Sequence, residues 1–231
     1  LTSLEQRTGK ILGDVNKPLL VSVRSGARSS MPGMMDTILN LGLNDEVAAS
    51  FARITNNERF VYDSYRRLIM MFADVVMGKD KSIFEEYLTT YKKEHNYEND
   101  VELTGDDWYK ITLKYKEMYQ ELTNEEFPMD TTRQLIMAIG AVFKSWNNSR
   151  AIYYRKINNI PDDWGTAVNI QEMVYGNKNN NSGTGVAFTR SPINGEAKIF
   201  GEYLINAQGE DVVAGIRTPQ SIETLKNIMP L

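Results

Sequence analysis

From Asn44 to about Arg150 the apolar residues recur at helical spacing, and this long tract of a single period constrains the architecture more than any other feature of the chain. Val61, Tyr65, Leu68, Phe72 and Val75 fall at i, i+4, i+7, i+11 and i+14, with Gly78 placed to cap the end. Ser82 and Glu85 have the spacing of a capping box, opening a helix with Phe84, Tyr87, Leu88 and Tyr91 on one side. A third helix is expected after Thr104, striped by Trp108, Ile111, Tyr115, Met118 and Leu122, and a fourth carries Leu135, Ile139, Val142 and Trp146. Aromatic and Met stripes at this spacing read as the core of a small helical bundle rather than as cofactor contacts. His95, in YKKEHNYEND, follows the charged end of a helix and reads as a solvated surface residue without a catalytic role.

The period changes on either side of this tract. PLLVSV, opened by Pro18, reads as a buried strand that ends at Arg24 and feeds the turn-rich SGARSSMPG. Beyond Ile160-Pro161, the runs TAVNIQEMVY, TGVAFTR and AKIFGEYLIN alternate or are rich in β-branched residues. Separated by GNKNNNSG and SPINGE, they predict an antiparallel meander, with Asn179 to Asn181 in a mobile hairpin loop. RTPQSIETLKNIMP predicts a capped helix stopped by Pro230. The fold class expected is α+β.

Composition removes several functions. The 231 residues suffice for one large domain or one domain with a substantial insertion, and 42% apolar with 24% charged residues is the balance of a globular protein. Lys plus Arg number 26 against 30 Asp plus Glu, so a net charge of -4 leaves no basic excess for a nucleic-acid backbone or an anionic membrane. Without cysteine there are no disulfides, zinc–thiolate sites, iron–sulfur clusters or thiol nucleophiles, and a single histidine removes most triads. The most apolar stretch, Leu68 to Met77, is broken by Asp74 and is far shorter than the roughly 20 residues of a spanning helix. The opening LTSLEQRTGK has neither an initiator Met nor the order of a signal peptide, which leads us to expect a piece of a larger, cytoplasmic protein.

Three groups of residues could carry chemistry. Arg24 and Arg28 flank a Ser-Gly-Ala turn after the first strand, where two guanidinium forks and backbone N–H groups could surround one anion; they equally suit surface ion pairs. Ser182, Gly183, Thr184 and Gly185 could form a backbone cradle for a polyphosphate, or a plain hairpin turn. Glu202, Glu210 and Asp211 flank YLINAQG, as Mg²⁺-positioning carboxylates or as solvated turn residues. Neither a Walker-type G-x-x-x-x-G-K-S/T nor a G-x-G-x-x-G is present.

Whole strings are more specific than these spacings. VSVRSGARSSMPGMMDTILNLGLND resembles the signature of the pyruvate, phosphate dikinase family, and the likeness continues in RAIYYRKINNIPDDWGTAVNIQEMVYGN, NSGTGVAFTRSP and GEYLINAQGEDVVAGIRTP. It covers almost the whole chain in family order. The resemblance implies a partial ATP-grasp-type nucleotide-binding domain, with residues 1–43 and 130–231 as the nucleotide-binding portion and 44–129 as a helical-bundle insertion. The implied enzyme converts ATP, phosphate and pyruvate into AMP, pyrophosphate and phosphoenolpyruvate, with Mg²⁺ accompanying ATP and a phosphohistidine on a separate swivelling domain. Its partners would be ATP and the phosphohistidine and pyruvate-binding domains of the same enzyme, in a homodimer whose contacts come from a C-terminal barrel.

Residue by residue, the resemblance makes Arg24 a contact of the ATP phosphates and puts Arg28 in the same motif. Gln171 to Val174 match an adenine-contacting hinge, with Met173 near the base. Ser182 and Thr184 match a phosphate-covering loop, and Glu210, with Glu202 as its neighbour, an acidic position of the nucleotide cleft. The family's glycine-rich lysine segment would precede Leu1, and its Asp-x-Glu metal ligands would follow Leu231, so no metal ligand is assigned in this chain. His95 lies outside the motif of the phosphorylated histidine, so no catalytic residue is assigned either. Phosphoenolpyruvate synthase shares the domain order but uses water as acceptor, and RSGARSSMPGMMD argues against it. A non-catalytic nucleotide sensor or docking module is the alternative of another class, favoured by a large exposed apolar patch on 44–129 and disfavoured by a closed bundle core.

Overall fold

The computed structural model describes every residue except Ile216, Pro230 and Leu231, and every side chain but those and Val213 and Ala214. In chain order the elements are α1 (Thr2–Thr8), β1 (Ile11–Leu12), β2 (Pro18–Leu19), β3 (Val21–Gly26), β4 (Thr37–Leu41), α2 (Asp45–Thr55), α3 (Glu58–Met71), α4 (Ser82–Glu94), α5 (Gly105–Thr123), α6 (Thr131–Ser145), α7 (Ser149–Ile157), β5 (Ala167–Glu172), β6 (Gly183–Phe188), β7 (Phe200–Ile205), α8 (Gly209–Ala214), β8 (Gln220–Ser221) and α9 (Leu225–Ile228). Mixed helices and antiparallel sheets make the class α+β. The chain forms two compact units, residues 1–173 and 174–231.

In the first unit the apolar run of β2 and β3 builds the sheet, with Leu19, Val21 and Val23 fully buried. β3 lies between β4 and β5 and is antiparallel to both. A register shift between Val21 and Val23 interrupts its pairing with β4, whereas β5 pairs continuously from Val21↔Glu172 to Gly26↔Ala167. α6 packs on this sheet, and α3 packs on β4, α2 and α5.

The helical stripes form the interior as their period requires. Phe60, Val61, Leu68, Phe72, Trp108, Ile111 and Tyr115 are wholly buried. Phe127 is the centre of an aromatic cluster, edge-on to Tyr65, Phe72 and Tyr119 with centroids 6.0, 5.5 and 5.5 Å away. The core of 44–129 is thus closed; Ile54 is exposed on its surface, and Leu113 and Met129 line a surface groove among the charged residues Asp45, Lys116, Glu117 and Glu126. Gly78 does close the third helix, at φ +65°, but only after a π-helical turn over Phe72–Val76. His95 is exposed, as expected, with its ring stacked on Tyr91 at 4.1 Å.

Three local expectations are corrected. Ser82 and Glu85 form no capping box: the N-cap is Lys81, the Asp80 carboxylate accepts the Ser82 N–H, and Glu85 is ion-paired to Lys81. The expected meander of three consecutive strands does not form, because β5 joins β3 in the first unit while β6, β7 and β8 make a separate antiparallel sheet. GNKNNNSG therefore connects two sheets and is not a hairpin loop. The final helix is reduced to Leu225–Ile228, because Gln220–Ser221 pair with β7 and Ile222–Thr224 form a 3₁₀ turn; Pro230 lies outside the described residues.

A capping box does form at Thr104, whose hydroxyl accepts the Asp107 N–H while the Asp107 carboxylate accepts the Thr104 N–H. That carboxylate also accepts Tyr91 Oη at 2.8 Å and Tyr97 Oη at 3.0 Å, fastening α4 and the following turn to α5. Burial acts to raise the Asp107 carboxyl, but the hydrogen bonds from Thr104, Tyr91 and Tyr97 outweigh it and hold it at about 2. In the unfolded chain an aspartate titrates near ~3.9. The folded value is the lower one, so the stabilisation is complete above about pH 4 and disappears as pH falls towards about 2. Asp107→Asn should destabilise the fold at neutral pH by roughly 1 kcal/mol, the scale of a lost charged hydrogen bond after solvent screening, with wild-type and variant urea midpoints drawing together as pH falls towards about 2. A gap independent of pH would contradict this account.

Candidate functional site

β3 leaves the core at Arg24, the first exposed residue after the buried run. Period-two geometry and the register Ser22↔Gln171, Arg24↔Asn169 put Ser22, Arg24, Asn169 and Gln171 on one face of the sheet. Arg24, Asn169 and Gln171 are exposed there, while Ser22 is buried and receives a hydrogen bond from Arg24 Nε at 3.2 Å. Gly26 lies beside them, and a Cβ there would meet Asn169 Nδ2 at 2.8 Å and displace that amide.

The loop after β3 is held by its methionines. Met31 is buried against Trp146 and Ala151, with Ala27, Met34 and Met35 packed around them. Asp36 adds polar anchors: its N–H donates to Ser145 Oγ at 3.1 Å, and its carboxylate accepts Asn148 Nδ2 at 2.9 Å and the Arg150 guanidinium. Arg28, exposed on this loop, lies over Trp164 with its Cζ 4.8 Å from the ring centroid. Among the described residues neither Arg24 nor Arg28 has a carboxylate within 4.0 Å, so the ion-pair alternative is not realised.

Gln171 and Met173 belong to this unit. Met173 is buried and its N–H donates to Leu20 O at 2.9 Å, extending the sheet pairing by one residue. Val174, the next residue and the first of the second unit, is 91% exposed.

In the second unit both glycines of NSGTG, Gly183 and Gly185, lie within β6, so this segment is neither a loop nor a hairpin turn. A Cβ at Gly183 would meet Leu204 O at 2.8 Å, and one at Gly185 would meet Glu202 O at 2.5 Å, so close backbone approach between β6 and β7 requires both. Ser182 Oγ donates to Asn179 Oδ1 at 3.2 Å, and Ser182 O accepts Asn206 N–H at 2.7 Å. Thr184 stands opposite Leu204 and Val186 opposite Glu202, so Thr184 and Glu202 share a face. α8 starts beside them, since a Cβ on Gly209 would lie 3.8 Å from Thr184 Oγ1. Glu210, half-buried, follows in the first turn of α8. Asp211 is buried and caps that helix, its carboxylate accepting Gln208 N–H at 2.9 Å.

The structure thus brings Arg24 and Gln171 together in the first unit, and Thr184, Glu202 and the start of α8 in the second. Among the described residues no three His, Asp or Glu side chains gather where they could hold a metal ion. No helix is long and apolar enough to cross a membrane, again among the described residues. Asn169 and Trp164 went unnoticed in the sequence reading. The alternation of VNIQE could have given Asn169, because it shares parity with Gln171, but nothing periodic marks Trp164.

An α+β chain that presents an exposed arginine beside amide side chains, with no carboxylate within 4.0 Å of it among the described residues, has the chemistry to take a phosphate-bearing ligand. Residues 2–230 match the family described as "Pyruvate phosphate dikinase, AMP/ATP-binding domain", and the chain belongs to that family. It is 60% identical over 231 residues to pyruvate, phosphate dikinase of Clostridium symbiosum, covering 100% of this chain and 26% of the relative. Against that of Rhizobium meliloti (strain 1021) identity is 56% over 222 residues, covering 96% and 25%. The chloroplastic enzyme of Mesembryanthemum crystallinum is 57% identical over 230 residues, covering 100% and 24%. The chain therefore spans about a quarter of the length of these relatives. The phosphoenolpyruvate synthase alternative is not favoured by these matches.

The packing of NSGTG yields a direct expectation. Gly185→Val should disrupt the β6–β7 pairing and accelerate amide hydrogen exchange across 200–205 by about tenfold or more, while β3 and β5 in the first unit keep their protection. Unchanged exchange in β7 would show that the glycine is not required for strand pairing.

Proposed function

We propose that this chain is the ATP-binding portion of a pyruvate, phosphate dikinase, the enzyme that turns ATP, phosphate and pyruvate into AMP, pyrophosphate and phosphoenolpyruvate. The observation that carries the reading is Arg24: an exposed guanidinium at the end of a buried strand, without a carboxylate partner among the described residues, on one face with Asn169 and Gln171. In this reading Arg24 and Arg28 bind phosphate oxygens through charge-assisted hydrogen bonds. Gln171, Met173 and Val174 lie along the adenine, Ser182 and Thr184 cover the phosphates, and Glu210 and Glu202 line the cleft. The architecture proposed is ATP-grasp-type, with residues 1–43 and 130–231 as the nucleotide-binding portion and 44–129 as a helical insertion.

Mg²⁺ would arrive with ATP. The described carboxylates do not fit a metal site of their own, because no three gather and Asp211 is engaged as a helix cap. The phosphoryl acceptor is a histidine of another domain of the parent, which we place in the cytoplasm as a homodimer. Its partners are the phosphohistidine and pyruvate-binding domains. Stabilising charge on the transferring phosphoryl groups is the chemical task of the arginines. The closed core of 44–129 offers no support for a docking module.

Calorimetric titration of the chain with MgATP should show binding weakened about tenfold to a hundredfold by Arg24→Ala, the range expected for one charged hydrogen-bond donor, with MgGTP bound less well. In a full-length parent the same substitution should slow ATP-dependent histidine phosphorylation by orders of magnitude and spare phosphorylation from phosphoenolpyruvate. Equal loss of both half-reactions would overturn the assignment.

A further inference from the structure

We propose that Trp164 is a positioning residue for Arg28, holding the guanidinium by its face so that its edge remains open to phosphate oxygens; the inference rests on the nucleotide reading above. The five N–H donors of a guanidinium lie in its plane, whereas a tryptophan contacts the flat face. A carboxylate partner would fix the same side chain by occupying two of those donors. Stacking fixes it and occupies none. Arg28 lies over the Trp164 ring, its Cζ 4.8 Å from the centroid, with no carboxylate within 4.0 Å among the described residues, although Asp162 and Asp163 directly precede that tryptophan.

Both partners are fastened to the same buried anchor. Trp164 ends the 3₁₀ turn Asp162–Trp164, whose Asp162 carbonyl accepts Trp146 Nε1–H at 3.0 Å and whose Asp162 carboxylate accepts Arg155 Nε–H at 2.7 Å. Arg155 is itself buried, 4.1 Å over the Trp146 ring. On the other side Ala27, adjacent to Arg28, packs into the Met31–Trp146–Ala151 cluster. Trp146 thereby sets the separation of the loop carrying Arg28 from the turn carrying Trp164. Arg28 is itself exposed and Trp164 is 45% exposed, so a ligand can reach the guanidinium.

The test is a double-mutant cycle in the 231-residue chain, with tripolyphosphate and MgATP as probes in calorimetry and circular dichroism as the check on folding. Trp164→Leu should weaken binding about two- to fivefold, the equivalent of an exposed cation–π contact, and Trp164→Tyr should restore most of it. In an Arg28→Ala background Trp164→Leu should have no further effect. Tryptophan emission should shift on addition of tripolyphosphate in the wild type and stay constant in Arg28→Ala, because Trp108 and Trp146 are buried and Trp164 alone of the three is exposed. Equal weakening by Trp164→Leu with and without Arg28, or no weakening at all, overturns the inference. If binding is instead absent in the wild type or insensitive to Arg24→Ala, the nucleotide reading fails, and this inference with it.

Discussion

Strand β3 is hydrogen-bonded along both edges, and the position of the candidate anion face depends on it. One edge is satisfied locally by β4, but the other takes β5, whose Gln171 lies 149 residues from Ser22 in sequence. Closing so long a loop is less expensive than its length suggests, since each doubling adds only about 0.6 kcal/mol of closure entropy. The intervening helices also bury their own stripes, with Phe60, Leu68, Trp108 and Tyr115 inside, so the detour contributes core rather than idle chain. The result is a rigid three-stranded support whose central strand delivers Arg24 to its end and sets Asn169 and Gln171 beside it.

Within those helices, charge is placed where hydrophobic residues would be expected. Asp63 is buried and accepts hydrogen bonds from Arg66 Nε at 3.1 Å and Arg67 Nε at 3.0 Å. Asp100 accepts Arg66 at 3.3 Å and Lys92 at 2.7 Å. Burial works to raise the Asp100 carboxyl, but Arg66 and Lys92 bring it below the usual aspartate range. Desolvating such groups is costly, and a buried ion network is a poor source of net stability compared with apolar packing of the same volume. Its effect is directional: Arg66 can reach Asp63 and Asp100 together only when α3, the end of α4 and the turn before α5 are in register. Removal of Arg66 would leave Asp63 to Arg67 and Asp100 to Lys92, cutting the link between the two carboxylates.

Legibility in the sequence followed the physics of each element. The helices were readable because 3.6-residue stripes require only local information, and the spacing from Val61 to Phe72 is directly that of a buried face. Failures came where a nonlocal partner decides. Alternation in TAVNIQE identifies a strand but not which strand it joins, and the unpaired edge of β3 captured it, leaving β6 to pair elsewhere. The Ser82–Glu85 spacing satisfied a capping rule that Asp80 and Lys81 pre-empted from one and two residues upstream. At the candidate site, Arg24 was visible as the polar end of a buried strand, and Gln171 came only through family resemblance although strand parity would have paired it with Asn169. Trp164 carries no periodic signal, since its place is fixed by Asp162, Arg155 and Trp146 acting across a turn.

The chain has three tryptophans, and each carries an arginine over its ring: Arg28 on Trp164 at 4.8 Å, Arg66 on Trp108 at 4.5 Å and Arg155 on Trp146 at 4.1 Å. The three are alike in this ring contact and differ in what their N–H groups meet. Arg66 and Arg155 are buried, and their in-plane donors are engaged by Asp63 and Asp100 in one case and by Asp162 and the Trp146 carbonyl in the other. Both act as struts. Arg28 is exposed and among the described residues has no carboxylate within 4.0 Å, the arrangement in which the same ring contact leaves donors for a ligand. Burial and ring contact alone therefore do not separate structural arginines from binding ones; what separates them is whether the in-plane N–H groups already have anionic partners, and by that criterion Arg24 falls with Arg28.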